Sequence, residues 1–171
     1  SEDADFKIAI PGIVFGAVGT CGQRCTSTRR LIIHESMYDK VKDTLVKAYG
    51  QLRIGDPLDS NNHVGPLIDT DAVATYSAAL ETVKSSGGNL LVAGGVLDGP
   101  GYESGCYVKP AIAEAQNSWE IVQEETFAPI LYLMKYKTFD EALALQNGVR
   151  QGLSSAIMTN NMRESEVFLS H

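Results

Sequence analysis

Residues 28–52, TRRLIIHESMYDKVKDTLVKAYGQL, read as a strand followed by an amphipathic helix, and that pair sets the fold class. Two arginines lead into the apolar run Leu31, Ile32, Ile33, as at the entrance to a buried strand. From Ser36 onward, Tyr38, Val41, Leu45, Ala48 and Leu52 recur at helical spacing on one face, and Gly50 and Gly55 mark the helix end and the next turn.

Upstream, Asp3 or Asp5 can cap a helix whose apolar positions are Phe6, Ile10, Ile13, Val14, Ala17 and Val18, with Pro11 kinking it unless that residue falls in the first turn. Gly19 and Gly22 bracket a loop, so Cys25 is placed between a helix and a strand. Downstream, after the loop GDPLDSNNHVGP (55–66), Asp69 or Thr70 caps a helix through Val73, Tyr76, Ala79, Leu80 and Val83. Gly87 and Gly88 stop it before a strand over 90–93. GGVLDGPGYESG (94–105) predicts a surface loop, and 107–112 re-enters the sheet, where Pro110 calls for an edge or a strand end. A short helix around 118–122, a strand over 130–136, a helix over 139–146, a strand over 154–159 and a helix over 164–169 follow. This alternation predicts one α/β domain over residues 1–171, a mainly parallel sheet covered by helices.

The chain has 171 residues, 44% hydrophobic and 20% charged, enough to bury one sizeable core. Its formal net charge of -7, with no basic run longer than Arg29 and Arg30, argues against a nucleic-acid groove or an anionic membrane surface, and for a small-molecule partner. No apolar stretch approaches the roughly 18 residues of a spanning helix. Three cysteines, Cys21, Cys25 and Cys106, suit free thiols in a reducing compartment, the cytoplasm or else the mitochondrion, rather than a disulfide framework. The opening SEDADF, without Met, reads as the continuation of an element already under way and predicts a fragment.

A thiol nucleophile needs exposure, positive potential and hydrogen-bond donors. Around Cys25, Arg24 supplies charge, Gly22 allows a tight turn, and the Cys25 amide can donate to an oxyanion. The alternative is a buried, space-filling cysteine. Cys21 and Cys25 are separated by three residues, not the two of a redox pair, and a zinc site would need His34, His63, His171 and Cys106 without ligand-like spacing. A cysteine hydrolase would need His34 or His63 as base.

FGAVGTCGQRCTSTRRL (15–31) resembles the active-site segment of aldehyde dehydrogenases, in which G-Q-x-C carries the nucleophile. The resemblance continues through GPLIDT (65–70), EETFAPILYL (124–133, similar to E-E-x-F-G-P) and QGLSSAIMTNN (151–161, similar to G-L-x-A-x-x-x-T). Four motifs in order over nearly the whole chain carry it, and QRCTSTRRL and ETFAPILY most resemble the antiquitin branch, the aminoadipic semialdehyde dehydrogenases.

The resemblance implies aldehyde oxidation with NAD, or NADP, and no metal, through a thiohemiacetal and a thioester on Cys25. It makes Cys21 a neighbour rather than a second nucleophile, Glu125 the partner of the nicotinamide ribose, and Phe127 the aromatic near the nicotinamide. Without it, Glu124 and Glu125 read as a solvated turn and Phe127 as core. Ala128 replaces the family's glycine, and Leu67 stands where a polar residue that can touch the cofactor often stands, so GPLIDT receives no cofactor role. Arg24 is positioned to pair with the distal carboxylate of an amino-acid semialdehyde; a surface or intersubunit ion pair is its other reading. The family's E-L-G-G general base, oxyanion asparagine, cofactor-binding domain and oligomerisation strand have no counterpart in the sequence. The resemblance therefore implies a homo-oligomeric complete enzyme, and as the alternative for these residues a non-catalytic folded fragment or association module.

Overall fold

The computed structural model describes residues 1–170. The first helix, α1 (Phe6–Val18), is capped by Asp5, whose carboxylate accepts from the Lys7 amide at 2.8 Å. Pro11 lies in its second turn, yet the helix continues past it; both Pro11 and Lys7, whose carbonyl loses its intrahelical donor, are exposed to water. Ala9, Ile13 and Ala17, spaced by four, form its buried stripe with Val18.

After the cysteine loop come β1 (Arg30–His34), α2 (Tyr38–Tyr49) and α3 (Thr70–Ser85), the last capped by Asp69, whose carboxylate accepts from Ala72 N at 2.8 Å. Then follow β2 (Asn89–Val96), β3 (Val108–Glu114), the single turn α4 (Glu120–Gln123), β4 (Ile130–Tyr136), α5 (Phe139–Asn147) and α6 (Met162–Leu169). The sheet order is β1-β4-β3-β2, with β1–β4 and β3–β4 parallel and β2–β3 antiparallel. An α/β fold with a mainly parallel sheet is therefore observed. All of β4 except Lys135 is buried, as expected of a strand covered on both faces, and α1 and α5 both pack against it. Arg30, in β1, reaches the end of α5, donating to Leu145 O at 2.7 Å and Gln146 O at 3.0 Å, so a strand side chain closes a helix terminus.

Three expectations are corrected. Helix and strand do not alternate throughout, because β2 and β3 are consecutive and antiparallel, and Gly94, Gly95 and Val96 belong to β2 rather than to the loop. Pro110 is not at an edge, since β3 lies inside the sheet. The ladder keeps one register from Ala93–Ala111 to Gly95–Lys109, so Gly94 and Pro110 stand opposite each other within it, and Gly94 turns to φ 69; the register shift lies between Leu90 and Val92. The Tyr76 hydroxyl enters there, donating to Lys109 O and accepting from Gly95 N at 3.0 Å, so a side chain supplies bonding to the backbone beside the proline that has no amide to give. Finally, 154–159 forms no strand. It is held end-on instead, by Ser1 N donating to Met158 O at 3.0 Å and Asn160 N to Asp3 O at 3.1 Å, and a strand needs a lateral partner that these contacts do not provide. β1 and 151–158 both line a cleft of about 460 Å³. No helix among the described residues is long and apolar enough to cross a membrane.

Candidate active site

The cysteine loop leaves α1 through three successive left-handed residues, Thr20 (φ 55), Cys21 (φ 53) and Gly22 (φ 68). For the two non-glycine residues this backbone costs about 1 kcal/mol or more each, so packing must hold it. Gly22 shows how: a Cβ there would sit 2.5 Å from the carbonyl carbon and oxygen of Ala128 and 2.7 Å from Pro129 N. The cysteine loop and the ETFAP turn are thus in backbone contact, and only glycine permits the approach.

The two thiols of the loop have opposite environments. Cys21 is buried, and desolvation pushes its thiol up to about 12, which keeps it protonated at neutral pH. Cys25 is exposed. It stands in a turn closed by Ser27 N donating to Arg24 O at 2.9 Å and by Arg24 N donating to Ser27 Oγ at 3.1 Å.

Arg29 joins this turn to the carboxylates. Its Nη2 lies 2.7 Å from Glu125 Oε1, its Nη1 donates to Ser27 O at 3.3 Å, and its guanidinium sits 5.6 Å from the centroid of the Phe127 ring. Phe127, 41% exposed and at φ 56, is held in a conformation that bulky residues avoid, so its ring is presented outward rather than buried as core. Glu124 pairs instead with Arg150 at 2.7 Å. Cys25, Arg29, Glu124 and Glu125 line the same cleft that runs along β1.

The structure therefore gathers Cys25, Glu125 and Phe127 around Arg29, while Arg24 turns back onto α1. Its Nη2 donates to Phe15 O at 2.9 Å and its guanidinium stacks 4.7 Å above the Phe15 ring; its Nε has no partner among the described residues. His34 is engaged by Ser36 Oγ at 2.7 Å and by the Tyr136 ring, and His63 by Arg53 N at 3.0 Å, so neither is hydrogen-bonded to Cys25. His171 lies outside the described residues. Among the described residues no group of three His, Cys, Asp or Glu could hold a metal ion.

Two residues of the site were not singled out from sequence. Arg29 reads there only as the polar entrance to β1. Gln23, inside the G-Q-x-C pattern, makes three side-chain hydrogen bonds that no periodicity could signal.

The model of the aldehyde dehydrogenase family matches residues 1–171. The alpha-aminoadipic semialdehyde dehydrogenase of Bos taurus is 48% identical over 162 residues, which cover 94% of this chain and 29% of that protein. Aldehyde dehydrogenase family 7 member A1 of Brassica napus is 45% identical over 160 residues, 94% of this chain and 32% of that protein. The crystal structure of betaine aldehyde dehydrogenase from Staphylococcus aureus in complex with NAD+ superposes with a TM-score of 0.95 at 25% identity, covering 99% of this chain and 34% of that one. A point mutant of that enzyme was crystallised with NAD+ and a BME-modified cysteine. The chain spans about a third of the length of the relatives it matches.

Proposed function

This chain belongs to the aldehyde dehydrogenase family, and from that premise we propose that residues 1–171 form the cysteine-bearing catalytic domain of an enzyme that oxidises an aldehyde to its carboxylic acid. NAD is the hydride acceptor in this reading, with NADP as the other carrier. One observation carries it: Cys25 is the exposed thiol of a braced loop, in the same cleft as Glu125.

The donor set suits a dinucleotide. Glu125 is exposed and pairs with Arg29 through Oε1, so Oε2 remains to accept from a ribose hydroxyl, and the outward Phe127 ring offers an apolar face to a nicotinamide. When bound, the dinucleotide supplies a hydride acceptor. The chain's own part is nucleophilic. The Cys25 thiolate adds to the aldehyde carbon, the carbonyl π electrons pass to oxygen, and the Cys25 amide can donate to the resulting oxyanion. Loss of hydride from that carbon leaves a thioester on Cys25. Water then adds to the thioester carbonyl and the C–S bond breaks, returning the thiol and releasing the acid.

The substrate class proposed is an amino-acid semialdehyde, as the name of the bovine relative suggests for that protein. Arg24 is the residue offered for its distal carboxylate, since only one of its guanidinium hydrogens is committed, to Phe15 O. The experiment is NADH formation by the purified protein with an aldehyde, before and after Cys25→Ser. Turnover lost in the variant supports the reading.

A second reading has its own observation. Ile8 (67% exposed), Phe15 (68%), Leu153 (73%), Met162 (80%) and Leu169 (75%) leave large apolar surface in water, as in a non-catalytic module that associates with another polypeptide. Absence of both turnover and NAD binding, with concentration-dependent association, favours that module.

A further inference from the structure

The segment Gly65–Thr70 resembles a family motif, yet the proposed chemistry gives it no role, and its Leu67 is 1% exposed and far from presenting a polar group. Its backbone is nevertheless one half of a contact with the cysteine loop. The Gln23 carboxamide donates from Nε2 to Pro66 O at 3.2 Å and accepts at Oε1 from Ile68 N at 2.8 Å. Those two groups flank Leu67, so the side chain of Gln23 pairs with residues 66–68 as a neighbouring peptide unit would. The same Nε2 donates to Thr20 O at 3.2 Å, inside the left-handed turn, and Gln23 N donates to Thr20 O at 3.0 Å. Residues 66–68 are themselves fixed, because the Leu67 side chain is in the core and Leu67 N donates to Cys106 O at 2.8 Å, next to β3.

We propose that Gln23 is a positioning residue for Cys25: it clamps the left-handed cysteine loop to the Leu67-anchored segment and thereby fixes where the thiol, two residues on, meets a carbonyl carbon. The proposal rests on the role assigned to Cys25 above. The physical reason is the turn itself. Thr20 and Cys21 hold strained backbone, and a strained loop relaxes unless bonds at both ends over-determine it. Gly22 supplies one constraint by its contact with Ala128 and Pro129, on the ETFAP side. Gln23 supplies the other, on the side of residues 66–68. Without it the loop keeps its contacts with α1 and with the ETFAP side but loses those to residues 66–68, and the Cys25 amide and thiol lose their fixed relation. Acyl transfer depends on that relation, whereas simple alkylation needs only an accessible thiolate.

The test uses the purified protein with Gln23→Ala and Gln23→Glu; the latter keeps an acceptor for Ile68 but loses the donations to Pro66 and Thr20. Acetylation by p-nitrophenyl acetate and alkylation by iodoacetamide are each mapped to cysteines by mass spectrometry, with Cys106 as internal reference. Hydrogen exchange is followed over 19–28 and 64–69. The expected result for Gln23→Ala is an acetylation-to-alkylation ratio at Cys25 lower by about tenfold, with the ratio at Cys106 unchanged. Exchange over 19–28 should be faster by about tenfold while that of β4 is unchanged, with Gln23→Glu between the two. If Cys25 in the unsubstituted protein outpaces Cys106 in acetylation and Gln23→Ala keeps that advantage, the clamp is overturned and the nucleophile stands. If Cys25 has no advantage to begin with, its role as nucleophile fails in this protein, and the exchange arm alone decides the clamp: unchanged exchange over 19–28 overturns it.

Discussion

Arg29 and Glu125 lie 96 positions apart in sequence, and their side chains meet at 2.7 Å between Nη2 and Oε1, joining the cysteine turn to the turn that opens β4. Together with the close approach of Gly22 to Ala128 and Pro129, this makes one unit of two motifs that the chain writes separately. The side chains are 21% and 47% exposed, so the pair orients more than it stabilises.

That balance sets the first expectation. A double-mutant cycle with Arg29→Ala and Glu125→Gln, read by denaturant unfolding, should give a coupling of about 0.5 kcal/mol. In a form that binds NAD, Arg29→Ala should instead weaken NAD binding, because Glu125 loses the contact that holds its free oxygen in place. A coupling above about 2 kcal/mol would mark the pair as structural.

Gly22→Ala meets both a backbone at φ 68 and the Ala128 carbonyl, neither of which is a flexible side chain able to give way. The loss should be about 2 to 4 kcal/mol, as for a strained left-handed alanine combined with overpacking. A shift in the unfolding midpoint at constant slope is the measurement. Gly99→Ala, at φ 93 with open space around it, should lose less, since only the backbone term acts there.

In a form of the protein that turns over aldehyde, Arg24→Ala should raise the Michaelis constant for a carboxylated semialdehyde more than for a simple aliphatic aldehyde. The comparison between the two substrates separates recognition from loss of the Phe15 contact, which would affect both alike. Equal effects on both end the assignment of Arg24 to the substrate carboxylate.

Glu114, at the end of β3, accepts from Asn89 Nδ2 at 2.9 Å and from the Tyr38 hydroxyl at 2.8 Å. The Asn89 bond foremost, and Tyr38 with it, hold its carboxyl below its ordinary value of 4.5. With a folded pKa depressed, the unfolded chain binds more protons as pH falls, so the stabilisation is complete above the unfolded value and is lost as pH drops through the folded one. Unfolding midpoints measured from about pH 6 down to about pH 3 should show a contribution to acid sensitivity that Glu114→Gln removes.

Much of the scaffold was legible because it is local. Asp5 and Asp69 cap their helices, each being one of the two residues that the sequence offers there, and the apolar run of β4 has in the sequence the bounds it has in the structure, 130–136. The inner place of Pro110 is not legible in the sequence, because it depends on the opposing Gly94 and on the hydroxyl of Tyr76, neither adjacent to it in sequence. The stretch 154–159 has strand composition but no lateral partner, and pairing is a property of two segments rather than one. At the site, Cys25 could be singled out by its loop and its motif. Arg29 and Gln23 could not, since the contacts that tie them to other segments, Glu125 for Arg29 and Pro66 and Ile68 for Gln23, lie 96 and 43 or more positions away.

In the proposed chemistry Cys25, and not its two fellow cysteines, is the nucleophile. The most direct test is to expose the folded protein to p-nitrophenyl acetate at neutral pH, quench in acid, and locate the acetyl group by peptide mass spectrometry. Acetyl should appear on Cys25 at least about tenfold faster than on Cys106, and on buried Cys21 only once the chain is unfolded. Acetylation of Cys106 at the same rate as Cys25, or total acetylation unchanged in Cys25→Ser, would contradict it.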